Sequence, residues 1–306
     1  MSAVDDPGPL HAAALGWYAR AGRRLNFRRT RDPYAVLVSE TMAQQTQISR
    51  VEPAWEAFLA RFPTVSSLAA ASAADVLRAW QGMGYNRRAL NLRRAARVVV
   101  AEHDGVFPDD LEALLQLPGV GPYTARAVAA IAYGRAVGAV DTNVRRVLGR
   151  VVAGAAGGLT AAEMQRLADN LVPAGRAGEW THALMDIGAS FCRSRAPRCG
   201  ECPLAALCRF ARASAQGHPS LEAHTPVARS AREATSQRPP FRSTSRWLRG
   251  RLLDRARATP DEAWFSTHVA IEPHDTRAVA ATARTLAGEG LLELHPSDPG
   301  LARLPR

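Results

Sequence analysis

Leu117-Pro118-Gly119-Val120-Gly121-Pro122-Tyr123-Thr124-Ala125, followed about twenty residues later by Asp141-Thr142-Asn143-Val144-Arg145-Arg146, is the stretch on which the reading of this chain turns. Two glycines, one residue apart, stand between an apolar run ending at Leu117 and a proline able to open a helix. That is the pattern of a tight hairpin between two helices. Such a hairpin turns backbone N–H groups outward at a helix N-terminus, where a phosphate can bind. The same nine residues also fit an ordinary Gly-Pro connection.

Outward from the hairpin, Leu111 to Leu117 reads as its first helix and Tyr123 to Tyr133 as its second, with Val128 and Ile131 facing a core. Asp141 stands where a helix N-cap belongs, ahead of Val144, Val147 and Leu148. Capping alone accounts for it, but capping and catalysis are compatible, and Asn143 is placed to orient it. Upstream, a first helix falls within residues 9–27. A second starts at Tyr34, where Val36, Leu37 and Val38 are apolar and Glu40 follows Val36 at i+4. That spacing sets Glu40 on or beside a buried stripe. Burial there raises a carboxyl pKa and suits a proton donor near neutral pH; a surface glutamate at the stripe's edge is the plainer alternative. Gln44, Gln45, Thr46 and Gln47 then form a run of uncharged donors and acceptors able to meet base edges, or simply a polar helix end. Residues 51–103 read as three further helices, Val51 to Phe62, Ala73 to Trp80 and Arg87 to His103. A second glycine-marked turn, Gln81-Gly82-Met83-Gly84-Tyr85, precedes the last of them. Strand-like alternation is largely missing, so the class is all-α.

Helical segments around Ala161 to Val172 and Trp180 to Phe191 lead to Cys192, Cys199, Cys202 and Cys208. Four thiols within seventeen residues point to a metal group. Structural zinc usually draws two Cys-x2-Cys knuckles and only one is present, so a [4Fe–4S] cluster is expected over zinc. From Ala213 to Thr244 the composition turns to Ser, Arg, Pro and His, the mark of a linker. Residues 245–306 regain order as a helix around Trp247 to Leu253, a helix from Asp275 to Leu286, and two short strands about the turn Ser297-Asp-Pro-Gly300. This is a winged-helix-like module, which can bind DNA or only pack against a neighbour.

A chain of 306 residues with 47% hydrophobic residues has room for two or three domains. Its charge of +11 favours an acidic partner, nucleic acid above all. Eleven arginines and three acids lie between Arg209 and Arg257, so much of the basicity sits in the linker and tail, where a solvated segment is as good a reading as a DNA-binding arm. All 39 basic residues are arginines, and without a lysine no side chain can form a Schiff base. Met1-Ser-Ala-Val-Asp-Asp6 is no signal peptide and no apolar run approaches membrane-spanning length, so a cytoplasmic protein that makes no membrane contact is expected.

Together these residues resemble the helix-hairpin-helix DNA glycosylases with an iron–sulfur cluster, and among them the adenine glycosylases of the MutY type. The resemblance covers about residues 10 to 210. It rests on Leu-Pro-Gly-Val-Gly at 117–121, Val-Asp-Thr-Asn-Val-Arg-Arg at 140–146, the Cys-x6-Cys-x2-Cys-x5-Cys series, and Ser39-Glu40-Thr41-Met42 with Gln44 to Gln47. It implies a two-lobed helical fold. A six-helix barrel with the hairpin spans 28–135, a cluster lobe spans 1–27 and 136–212, a linker 213–244 and the winged-helix-like module 245–306. It implies Glu40 as catalytic acid, Asp141 as the carboxylate that stabilises the sugar, Asn143 to position it, and Tyr123 and Arg28 lining the pocket. Gln44, Gln45, Thr46, Met83, Tyr85 and the amides of Gly119 and Gly121 would contact DNA. In the bifunctional relatives, position 123 carries the Schiff-base lysine; Tyr123 implies a monofunctional hydrolase. The implied partner is double-stranded DNA bearing adenine opposite 8-oxoguanine or guanine, met by a monomer. The chain departs from the family where Asn26-Phe27-Arg28 replaces Pro-Trp-Arg and where Asn86 follows Tyr85. Residues 213–306 also differ from the Nudix-like domain of many relatives. A thymine glycosylase of the same fold, a noncatalytic iron–sulfur DNA-binding protein, and an endonuclease III-type lyase, against which the missing lysine speaks, are the competing readings.

Overall fold

The computed structural model describes residues 6–216 and 239–306. Most of the linker expected at 213–244 therefore lies outside the described residues. The chain divides into two compact units, one of Met1–Glu40, Pro108–Gln116 and Val120–Ser230, the other of Thr41–Phe107, Leu117–Gly119 and Ala231–Arg306.

In the first unit, α1 (Gly8–Ala21), α8 (Pro122–Ala132) and α9 (Thr142–Leu148) pack against α11 (Ala177–Ser190). Helix α11 is central because it is buried from Trp180 to Gly188, and Trp180, Ala183, Leu184 and Ile187 join Leu10, Leu15, Val144 and Leu148 in one core. Its glycines permit close approach: a Cβ on Gly188 would lie 2.5 Å from Asn143 Cβ. Helix α7 (Leu111–Gln116) leads into the hairpin and α8 out of it, with Gly121 as N-cap and Pro122 in the first turn. A π-helical turn (Gly149–Ala153), α10 (Ala161–Asn170) and α12 (Arg209–Ala215) complete the unit. Helix α10 is opened by a reciprocal Thr160/Glu163 capping box.

The chain passes from the first unit to the second within helix α2 (Pro33–Ala43), after Glu40. This helix differs from the stripe read in the sequence, since every residue from Tyr34 to Met42 is buried. A helix buried on all sides leaves Glu40 only a small opening, larger than those of Val36, Leu37 and Val38.

The second unit holds α3 (Ile48–Arg61), α4 (Val65–Ala70), α5 (Ala73–Ala79) and α6 (Arg87–Glu102). Residues 51–103 thus contain four helices where periodicity gives three. Helix α4 has six residues, too few for a 3.6-residue repeat to register, and depends on reciprocal caps between Thr64 and Ser67. Phe58, Phe62 and Trp80 meet edge to face in the core. Gly119, at φ +81°, belongs to this unit, and a Cβ on it would come within 2.6 Å of Asn91.

The C-terminal module comprises α13 (Ser245–Ala258), β1 (Phe265–Ser266), α14 (Thr276–Gly288), β2 (Glu293–Leu294) and β3 (Leu301–Arg303). The two expected helices and the two expected strands are there. Strand β1 is additional, and its two residues carry no alternation to read. The sheet is antiparallel in the order β1-β3-β2, with Ala302 facing Phe265 and Leu294. Leu248, Leu252, Val279, Ala283 and Leu286 are the buried apolar side chains of α13 and α14, which pack on each other. No helix among the described residues is long and apolar enough to cross a membrane.

Candidate active site

Glu40 lies in the last turn of α2 and is 8% exposed. Burial pushes its carboxyl above the ordinary carboxylate range; the Tyr123 hydrogen bond and the Arg28 charge pull the other way, and Asp141 adds to the rise. Tyr123, one residue into α8, donates its hydroxyl to Glu40 Oε2 at 2.6 Å. Burial first, and the Glu40 charge second, drive the phenol well above its usual value, so Tyr123 stays a neutral donor. With one Glu40 oxygen engaged by that donor, Oε1 is the oxygen available to carry a proton.

Asp141 is the N-cap of α9, as its position in the sequence predicts. Its Oδ1 accepts from the Val144 amide at 2.7 Å and its Oδ2 from Asn143 Nδ2 at 3.0 Å. Asn143 is held in turn by Arg146, whose Nη2 donates to Asn143 Oδ1 (2.7 Å) and to the Gly188 carbonyl (2.8 Å). The Arg146 Nε donates to the Cys192 carbonyl. A continuous path of hydrogen bonds therefore joins Cys192, Arg146, Asn143 and Asp141. Arg146 stood in the quoted motif without a role, because its partners at 188 and 192 are distant in sequence.

Arg28, in the short turn Asn26–Arg28, donates to Asp186 Oδ2 at 2.9 Å. Asp186, at 0% exposure, also takes the Arg23 amide (2.9 Å) and the Arg23 guanidinium (2.6 Å). Burial works against the Arg28 charge, and Asp186 outweighs it, so Arg28 remains a fixed cation beside Glu40. The neighbouring His182 is pushed down to about 3 by burial and then by Arg28, which leaves its imidazole neutral. Asp186, Arg23 and His182 escaped the sequence reading. The one sequence signal for Asp186 was an acid inside the otherwise apolar run Ala183 to Gly188.

Cys192, Cys199, Cys202 and Cys208 line one cavity with Val147, Arg150, Ile187, Phe191 and Phe210. Cys202 is pushed up to about 11 by burial, with the other three cysteines adding to the rise. Arg150 is buried there, its guanidinium 4.6 Å from the Phe210 ring centroid, and it donates to the Arg193 carbonyl (2.6 Å) and to Cys192 Sγ (3.4 Å). Among the described residues, no three His, Cys, Asp or Glu side chains gather as a site for a single metal ion.

In the second unit, the candidate DNA-contacting turns share one organiser. Arg88 Nη1 donates to the carbonyls of Thr41 (2.6 Å), Met42 (3.1 Å) and Gln44 (2.7 Å). Its Nη2 donates to Thr46 Oγ1 (3.3 Å) and to the carbonyls of Met83 (3.1 Å) and Gly84 (3.2 Å). One guanidinium thus ties the Gln44–Thr46 turn to the Met83–Tyr85 turn. Gln45 (φ +55°) and Tyr85 (φ +45°) are left-handed, and Tyr85 is 50% exposed. Met83, expected beside Tyr85 as a DNA contact, is 5% exposed and buried with the apolar side chains of the core. Gly121 has open space where a Cβ would stand, so packing does not explain its glycine.

Residues 38–174 match the model of the HhH-GPD superfamily of base excision DNA repair proteins. The adenine DNA glycosylase of Mycolicibacterium smegmatis is 45% identical over 262 residues, which cover 82% of this chain and 84% of that one. The chain belongs to the adenine DNA glycosylase family of helix-hairpin-helix proteins. It is a DNA glycosylase of base excision repair. A solved thermostable thymine-DNA glycosylase is 30% identical, with a TM-score of 0.64, covering 67% of this chain and 96% of that one. An endonuclease III trapped as a covalent intermediate with DNA, at 22% identity and a TM-score of 0.58, shares the fold; the match covers 69% of this chain and 99% of that one.

Proposed function

We propose that this glycosylase hydrolyses the N-glycosidic bond of adenine mispaired with 8-oxoguanine or guanine and leaves the DNA strand uncut. The observation that carries the reading is the buried Glu40 carboxyl with the Tyr123 hydroxyl 2.6 Å from its Oε2. A flipped adenine meets there a carboxyl that burial holds above the ordinary carboxylate range, which favours its acid form. Glu40 Oε1 donates to N7, and the base leaves as a neutral molecule. Positive charge then develops on the sugar, and Asp141, fixed through both oxygens, is the group that stabilises it. Water completes the abasic site. Strand nicking through an imine requires an amine nucleophile, and with no lysine in the sequence no side chain supplies one, which leaves the N-terminal amine alone.

Gln44, Gln45 and Thr46 would meet the base opposite the adenine, Tyr85 the neighbouring step, and the amides of Gly119 and Gly121 a phosphate. The four cysteines around one cavity suit a [4Fe–4S] cluster. Bound there, it would cross-link the loop from Cys192 to Cys208 and so brace the Cys192 carbonyl that receives Arg146. The likeness to a thymine-DNA glycosylase favours a second substrate, thymine opposite guanine. The adenine enzyme of M. smegmatis is more similar in sequence and over more of the chain, which makes adenine the first choice.

Duplexes with adenine opposite 8-oxoguanine, adenine opposite guanine, or thymine opposite guanine separate the readings. Release of adenine with strand scission only after alkali is expected; release of thymine alone, or scission without alkali, overturns the proposal. Glu40→Gln is expected to slow excision by about 10²–10⁴-fold while duplex binding survives.

A further inference from the structure

The C-terminal module has no part in the chemistry above, yet its first helix begins beside the Tyr85 turn. The Arg246 guanidinium lies 5.5 Å from the Tyr85 ring centroid, and Arg88 lies 5.6 Å from it. Docking contacts further along α13 fix this placement. Arg257, with a side chain 7% exposed, donates to the Leu77 carbonyl (3.0 Å) and to Asn86 Oδ1 (2.6 Å). Arg78 reaches back to the Thr259 carbonyl (3.3 Å) and pairs with Asp261 (2.7 Å). The module is therefore held against α5 and the start of α6, the two helices that carry the Tyr85 turn between them.

Its arginines divide into two groups. Arg249 pairs with Glu289, Arg251 and Arg257 pair with Asp254, and Arg255 lies over the Phe265 ring. Arg242 and Arg246 are exposed and form no salt bridge among the described residues. Phe241 next to them is 62% exposed. Two exposed guanidinium groups without a carboxylate partner among the described residues, one of them over the ring of a half-exposed tyrosine, fit nucleic-acid chemistry: such cations suit backbone phosphates. A second basic face, Arg277 and Arg284 on α14, has no comparable link to the Tyr85 turn.

We propose that the C-terminal module is a second duplex-DNA contact surface, in which Arg242 and Arg246 bind the phosphates flanking the step met by Tyr85. The inference rests on the reading of this chain as an enzyme acting on duplex DNA. It extends the interface to a part of the chain outside the matched family region, residues 38–174.

The test is the salt dependence of binding by the full chain to a fully paired duplex, which involves no excision. Each lost phosphate contact lowers the slope of log Kobs against log salt by about 1. Arg242→Ala/Arg246→Ala is expected to lower the slope by about 2 and to weaken binding at low salt, and the corresponding Lys pair to restore the slope. Arg277→Ala/Arg284→Ala is expected to leave it as in the wild type. An unchanged slope in the Arg242/Arg246 variant, or a slope lost only in the Arg277/Arg284 variant, overturns the proposal. If circular dichroism shows that the alanine pair disturbs α13, Arg242→Gln/Arg246→Gln is read by the same criterion. A wild type that binds duplex with a steep slope but releases no base would overturn the proposed substrate and leave this surface standing.

Discussion

The acid role proposed for Glu40 rests on burial outweighing the two groups that favour its anion, the Tyr123 hydroxyl and the Arg28 cation. Removing one of those two tips the balance further. Tyr123→Phe keeps the ring and loses the donor, so the Glu40 carboxyl rises further above the ordinary carboxylate range. The alkaline limb of the single-turnover excision profile should then move to higher pH, even where the maximal rate falls. A limb that stays in place or moves down would detach Glu40 from that limb. The same shift has a stability consequence. A carboxyl whose folded pKa is raised costs nothing below its unfolded value, and the fold loses stability as pH climbs from there through the folded value. Glu40→Gln should flatten that decline in urea melts recorded across the window. Asp186 presents the opposite case: Arg28 and Arg23 hold its carboxyl below the usual range despite burial. Asp186→Asn leaves Arg28, itself buried, short of its counter-charge, at an expected cost of about 3–5 kcal/mol in the same melts. No sequence rule pointed to this pair, because Arg28 and Asp186 stand 158 residues apart and meet only through the fold.

Among the elements, α9 and α11 determine how well Asp141 is aimed. The N-cap was legible in the sequence, since Asp ahead of Val144, Val147 and Leu148 is a local signal. The support behind Asn143 was not, since it requires α11 to approach until Gly188 touches Asn143. Gly188→Ala should separate the two helices at that point, costing about 1–3 kcal/mol from overpacking and lowering the excision rate through Asn143. Thermal melting and single-turnover rates check the two halves; a variant with wild-type values in both would show that the approach has slack. Helix α2 teaches the complementary lesson. Its apolar run and Glu40 were readable, while burial on every side depends on neighbours that periodicity cannot report. Arg88, which joins two turns through six acceptors, was unreadable for the same reason: five of the six are backbone oxygens, and backbone leaves no trace in a sequence.

On the scale of the whole molecule, a chain with 39 arginines and no lysine uses guanidinium for both structure and charge. Counting net charge cannot separate the two uses. Arg257 sits in the arginine-rich segment that reads as a solvated tail, yet its fork closes on Leu77, Asn86 and Asp254 and serves as a dock. Burial works against its charge, so the contacts have to be made for the placement to be stable. Arg257→Ala would strand the Leu77 carbonyl and the Asn86 side chain, an expected cost of about 1–3 kcal/mol per group left without a partner. That loss falls on the attachment of the module and spares its internal core of Leu248, Leu252 and Val279. Hydrogen exchange should therefore quicken at amides near the docking contacts, around Leu77 and Asn86, while the amides of α14 keep their protection. Uniform loss of protection throughout 245–306 would mean that the module's fold depends on its dock, and unchanged exchange at Leu77 and Asn86 would mean that Arg257 holds nothing in place.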